Sequence, residues 1–269
     1  MNQATIRRWG PWLGLVVLFA IATSLLSWWQ FERRNDRVER INQVIANYDL
    51  TPIDYANLSW QVNPDGTSAS EWIPVRVVGE YLPDEAMIVR NRPLNGQAGF
   101  LQLVPLRLDN GRILVVERGW LAASSELVTP ASNPLPASGR HELVVRLRVG
   151  EQDLGRAPAE TLASIDLAEA SERLSNVGPV IEDHYGRIVS ENPSYVDAPF
   201  PMPKPSLNEG NHLSYAIQWI IFGIMAFIAF FWAYRNDRRL AQEAAGLAPR
   251  RERKRTRADI DAEFEDATQ

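Results

Sequence analysis

The chain holds three histidines, and one of them, His212, opens a stretch where chemically capable side chains recur at helical spacing. In "NHLSYAIQW", residues 211–219, His212 is followed by Tyr215 and Trp219. At about 100° per residue these three share one helical face, with Gln218 beside it. A neutral imidazole can ligate haem iron, and aromatic rings can flank a flat macrocycle. A simpler reading makes the same residues anchors at a membrane interface. Polar groups at membrane depth are costly, which gives weight to a functional role.

The other histidines, His141 and His184, lie far apart in sequence, and neither has the spaced His or carboxylate partners of a zinc site. Both read as structural or solvent-facing, with His184 in a surface cluster beside Glu182 and Asp183. No G-x-S-x-G, P-loop or H-E-x-x-H motif occurs. Carboxylates are plentiful, but nothing selects an acid–base pair. The absence of cysteine excludes disulfides, thiol redox chemistry and thiolate metal sites. It also weighs against a copper carrier, because only Met87 and Met202 lie between the apolar runs. These gaps argue against an enzyme.

"ERGWL", residues 117–121, puts Arg118, Gly119 and Trp120 at the end of a strand pattern. One reading is a bend that lets Trp120 pack while Arg118 pairs or snorkels. The other is a docking surface for a partner.

Two apolar, charge-free runs frame these residues, at 11–29 and 213–234. Each reaches the roughly 20 residues needed to cross a bilayer core, and each carries Trp or Tyr at its ends. The first continues through Leu25, Leu26, Trp28 and Trp29, past the cleavage-like Ala20-Ile21-Ala22, so it reads as an uncleaved anchor. Nine basic residues follow the second run, including "RRERKRTR" at 250–257. They place both termini in the cytoplasm and the central domain outside. Arg33, Arg34, Arg37 and Arg40 oppose this orientation, although Glu32, Asp36 and Glu39 interleave with them. "RRERKRTR" could also suit a nucleic acid, but the positive-inside rule explains it more simply. The acidic residues beyond it read as disordered. Residues 32–208 carry 17 basic and 24 acidic side chains, which argues against nucleic-acid binding there.

The resulting plan is a two-span α+β membrane protein. An N-terminal segment (1–10) leads into the first transmembrane helix (11–29) and a helical extension (30–50). An external, mainly antiparallel β domain (51–190) with one or two short helices follows, then a Pro-rich connector (191–212), a second transmembrane helix (213–234) and a tail (235–269). Val38, Ile41, Val44 and Ile45 support the extension, which Thr51-Pro52 ends. Strands are expected at 72–82, 86–91, 99–108, 112–121 and 141–150, with a hairpin at Asn110-Gly111. Pro83-Asp84 suggests another hairpin turn. Residues 161–175 read as a helix capped by Ser164, and 177–190 as a strand or hairpin.

Taken together, "WQFER" after the first span, "WIPVRVVGEY", "GFLQLVPL" and "ILVVERGW" in the middle, and "NHLSYAIQW" at the second span resemble the Surfeit locus protein 1 family. The likeness covers nearly the whole chain except its tail. It implies a non-enzymatic assembly factor for cytochrome c oxidase, with the catalytic subunit and other assembly factors as partners. It also implies transient handling of haem a, with a cofactor-free scaffold as the alternative. The family's N-H-L-x-Y motif falls on His212 and Tyr215, which with Trp219 form the expected cofactor face. Its Trp-Gln-x-x-Arg motif falls on Trp29, Gln30 and Arg33, and its Arg-Gly-Trp motif on Arg118, Gly119 and Trp120, both expected to meet partners. Many members carry a second asparagine where this chain has Gly210. Without a long Arg- and Ser-rich presequence, a bacterial plasma membrane is the expected location.

Overall fold

Helix α1 runs Gln3–Asn47 without a break in the computed structural model, which describes residues 3–126, 129–155 and 161–247. The basic stretch 250–257 and the acidic end lie outside the described residues. The chain forms two compact units, one holding residues up to Asp36 and from Gly210 onward, the other Arg37–Glu209.

The first unit pairs α1 with a second long helix, α3 (His212–Ala244). Both are long and apolar enough to cross a membrane. Their outer faces expose Leu18, Trp28, Ile228 and Trp232, as suits side chains turned toward lipid. The facing sides are small or polar. Ser27 Oγ donates to the Ala216 carbonyl at 3.0 Å, and a Cβ on Gly223 would stand 2.9 Å from Thr23 Oγ1. Two helices in lipid gain little from burying apolar surface, so close backbone approach and interhelical hydrogen bonds hold them. At the other end of α3, Asp237 accepts a bond from Trp9 Nε1 at 3.1 Å and pairs with Arg8 at 2.9 Å.

The second unit is built on β1 (Ile53–Asp54), β2 (Pro74–Tyr81), β3 (Met87–Val89), β4 (Gly99–Leu108), β5 (Ile113–Ala122), β6 (Gly139–Arg148) and β7 (Tyr185–Asn192), with one short helix α2 (Leu167–Arg173). The pairings β2–β6, β6–β7, β7–β5, β5–β4 and β4–β2 close five strands into a ring. The result is a small barrel flanked by β1 and β3. Most pairs are antiparallel, but β1–β2 and β5–β7 are parallel.

The barrel explains the apolar runs in β4 and β5. Val104, Leu106, Leu114 and Val116 join Val75, Val77, Leu143, Val145 and Leu147 in one core. Their alternates Leu101, Leu103, Ile113 and Val115 pack outward beneath α2, against Leu162, Leu167, Ala170 and Leu174. Strands covered on both faces lose polar alternation. Inside this unit the last turns of α1 pack Val44 and Tyr48 on Trp72. Asn47 Nδ2 also donates to the carbonyls of Ala69 and Glu71 at 2.9 and 2.8 Å.

Two local expectations change. Pro83-Asp84 does not make a hairpin: Pro83–Glu85 is a 3-10 turn, and β2 and β3 each pair with β4 instead of each other. Residues 161–175 give a helix only over Leu167–Arg173, capped by Asp166, whose side chain accepts from Ala168 N and Glu169 N. Ser164 instead donates to the Gln152 carbonyl at 2.8 Å. The stretch before α2 is held extended because Leu162 bridges β3, exchanging backbone bonds with Ile88 and Arg90.

Candidate functional site

His212 is the first residue of α3, where free backbone N–H groups and a polar side chain naturally meet. Its Nδ1 donates to Gln30 Oε1 of α1 at 2.9 Å. This contact brings together two residues 182 positions apart, each from a different motif. A proton fixed on Nδ1 leaves the lone pair on Nε2, the arrangement by which a second-shell acceptor orients a metal-binding imidazole. Gly210 stands beside that nitrogen: a Cβ there would lie 3.5 Å from His212 Cδ2 and 3.7 Å from Nε2. Glycine therefore keeps this edge of the ring uncrowded. His212 is half-buried. The residues present fit a haem group, whose iron His212 Nε2 would ligate.

The remaining members of the expected cofactor face sit on the following turns of α3. Tyr215 is half exposed, and Trp219 is half-buried, edge-on to Phe222 at 5.8 Å. Among the described residues, no ring contact joins either of them to His212. In the Trp-Gln-x-x-Arg motif, Gln30 meets His212 while Trp29 and Arg33 are exposed. The seam residues Thr23, Ser27, Ala216 and Gly223 were not foreseen. Their signal was the small or hydroxylated side chains at spacings of four and seven inside apolar runs.

The Arg-Gly-Trp motif belongs to the barrel. Gln102 pairs with Gly119 and Leu103 with Glu117, so Arg118 is the extra residue of a β-bulge. Arg118 points inward, on the face of Leu114 and Val116, and its side chain is 1 % exposed. Its Nε and Nη2 donate to the two carboxylate oxygens of Glu191 at 3.1 and 2.6 Å. Its Nη1 donates to Gln102 Oε1 at 2.9 Å and the Pro134 carbonyl at 3.0 Å. Tyr81 donates to Glu191 at 3.2 Å and lies tilted against His141, their ring centroids 4.9 Å apart. Each barrel strand thus gives one side chain to a polar plug: Tyr81, Gln102, Arg118, His141 and Glu191. Burial next to Glu191 pushes the Tyr81 hydroxyl far above its ordinary range, so it remains a donor.

Gly119 has φ +147, and a Cβ there would meet the Phe200 carbonyl at 2.5 Å. That space lets Trp120 exchange backbone bonds with Phe200 at 2.7 and 2.9 Å. Trp120 Nε1 donates to the Arg92 carbonyl at 2.6 Å. Arg118 therefore points into the barrel, while Trp120, opposite Leu101, packs in the outer cluster beneath α2, and both side chains are buried.

His141 and His184 are buried, where the sequence suggested solvent for His184. His184 lies under Trp60, with Tyr55 Oη 2.7 Å from Nε2 and Asp183 Oδ1 2.6 Å from Nδ1. Packing of the 55–60 segment over it was invisible in the sequence. Among the described residues no cluster of three or more His, Asp or Glu could hold a metal ion.

Fold and site define a class: a closed β-barrel domain carried between two helices able to span a membrane, with a histidine–glutamine contact where those helices meet. The model of the SURF1 family matches residues 17–224, which takes in most of the first apolar helix, the whole barrel and the start of the second. The chain belongs to the SURF1 family. It is 28 % identical over 247 residues to a SURF1-like protein of Mycobacterium bovis, covering 88 % of this chain and 89 % of the relative. A SURF1-like protein of Rickettsia bellii is 26 % identical over 224 residues, 78 % of this chain and 85 % of that one. The cytochrome oxidase assembly protein SHY1 of Saccharomyces cerevisiae is 32 % identical over 124 residues, 46 % of this chain and 31 % of SHY1.

Proposed function

We propose that the chain is an assembly factor for cytochrome c oxidase that helps deliver haem a to the catalytic subunit. The observation that carries the oxidase role is family membership over both apolar helices and the barrel, together with the likeness to a yeast protein named for oxidase assembly. The haem role rests on the His212–Gln30 contact, which leaves Nε2 as the available nitrogen at the end of a membrane-spanning helix. Haem a, when held there, supplies the prosthetic group that the oxidase needs. The chain itself offers a ligand, an acceptor that orients it, and the aromatic neighbours Tyr215 and Trp219. The role is that of a carrier, not an enzyme. Both termini are cytoplasmic and the barrel lies on the outer face of a bacterial plasma membrane, as the basic residues after α3 favour.

Deleting the gene and recording reduced-minus-oxidised spectra of the membranes tests the oxidase role. Loss of the a-type haem band together with oxidase activity, restored by the wild-type gene, is expected. An unchanged spectrum and activity, also when any paralogue is deleted, would overturn it. A chain that purifies with oxidase subunits but without haem would replace the carrier by a cofactor-free scaffold.

A further inference from the structure

The barrel unit carries a second potential site, a groove of about 540 Å³ unrelated to His212. Arg37, Arg40, Arg148, Arg187 and Lys204 line it, with Glu71 the one lining carboxylate. Its apolar wall is Ile41, Val44, Trp72 and Met202. We propose that this groove binds a phosphate group, in the form of an anionic phospholipid headgroup.

The arginine forks keep free donor edges beside the contacts that hold them. Arg148 uses Nε on Glu71 at 2.7 Å, and Arg187 uses Nε on Glu117 at 2.9 Å. Arg37 uses Nε on the Asn208 carbonyl at 3.2 Å. In each case the Nη groups of the fork have no hydrogen-bond acceptor among the described residues. Arg40 has no carboxylate partner among them either. Lys204 pairs with Asp49 at 2.6 Å, as Arg148 and Arg187 pair with Glu71 and Glu117, so the forks offer free N–H edges rather than unpaired charge. Planar forks with free N–H edges match phosphate oxygens, and such charge-assisted bonds are strong.

Trp72 fixes two of these forks. The Arg148 and Arg187 guanidinium carbons lie 4.1 and 5.4 Å from its ring. The indole is 6 % exposed and its backbone sits at φ +74, a conformation costly for a bulky residue. The surrounding packing therefore over-determines its position, which pre-organises the cations above it.

Chain connectivity favours a lipid as the source of the phosphate. The groove is lined by the two segments that lead to the apolar helices. Arg37 follows Trp29 by eight residues within α1, and Ser206 precedes His212 by six. An apolar wall beside a cationic end suits an amphiphile better than a free anion.

The test uses the full chain purified in a non-ionic detergent. Retention of dihexanoyl phosphatidylglycerol and dihexanoyl phosphatidylcholine is read by native mass spectrometry, and inorganic phosphate is titrated against the melting temperature. Arg40→Gln combined with Lys204→Gln removes two accessible cations without stranding a buried carboxylate. Arg148→Lys keeps the charge at Glu71 but removes the fork. The wild-type chain should prefer the glycerol lipid, and each variant should bind it about tenfold more weakly, the scale of one lost charge-assisted contact. A melting response to inorganic phosphate that the variants lose, with no lipid preference, upholds the phosphate site and assigns it to the free anion. Equal retention of both lipids with no phosphate response, or binding unchanged in both variants, overturns the proposal.

Discussion

Gln30 Oε1 accepts a hydrogen bond from His212 Nδ1 across 2.9 Å, tying the end of one apolar helix to the start of the other. The contact gives the imidazole a defined tautomer and direction. Removing the acceptor should loosen the ligand without deleting it. In purified full chain, Gln30→Ala is expected to lower haem affinity by about 10–100-fold, the usual effect of a lost second-shell partner. His212→Ala should abolish haem binding while the barrel's melting temperature stays unchanged.

The helix seam predicts a packing defect. A Cβ on Gly223 would stand 2.9 Å from Thr23 Oγ1 and 4.0 Å from Ala20 Cα, so a bulky side chain there must push the helices apart. Because the chain has no cysteine, Ser27→Cys with Ala216→Cys gives a clean cross-linking reporter of their contact. Oxidation should join the two sites efficiently. Adding Gly223→Leu should cut the yield to roughly half or less, since small residues let such helices approach.

Arg118 and Glu191 form a bidentate pair whose side chains are 1 % and 8 % exposed. Arg118→Ala leaves a buried carboxylate without its cation, and should cost about 3–5 kcal/mol in denaturant unfolding of the barrel. Arg118→Met combined with Glu191→Met should recover much of that loss, because no charge then remains buried. Equal destabilisation by the single and double changes would contradict the assignment of the pair.

At Gly119 the constraint is both conformational and steric. Gly119→Ala would bring a Cβ against the Phe200 carbonyl and destabilise the domain by about 1–3 kcal/mol, typical of overpacking. Faster amide exchange at Trp120 and Phe200 would mark the broken bridge.

Acid should weaken the barrel through His184. Burial is the main cause that lowers its pKa below the usual 6.5, and Arg112 adds to it, while Asp183 opposes both. The neutral ring accepts a bond from Tyr55, whose own pKa is pushed up to about 12 by burial and by Asp183. A depressed folded-state pKa means that the stabilisation is complete above 6.5 and is lost as pH falls through the folded value. Melting temperature should therefore drop as pH is lowered from about 7 toward 5, and His184→Gln should flatten that drop.

Local pattern made the helices and the β4–β5 hairpin readable. Residues 11–29 and 213–234 are long, apolar and uncharged, and Asn110-Gly111 sits between two apolar runs. Barrel closure was not readable, because β2–β4 and β5–β7 pair across distant sequence, and the latter is parallel. The bulge at Arg118 was equally hidden: its gap in register appears only against Gln102 on the partner strand. Gln30 and His212 were each singled out, but for different roles. Their pairing depends on how α1 meets α3, through Ser27, Ala216 and Gly223, which the motifs did not mark.

The central claim is that His212 serves oxidase assembly through its free nitrogen. Its most direct test is to complement a deletion strain with wild-type or His212→Ala chain at equal membrane levels, and to measure a-type haem absorbance and oxidase activity. Restoration by the wild-type chain but not by His212→Ala is the predicted result. Full restoration of both signals by His212→Ala would contradict it.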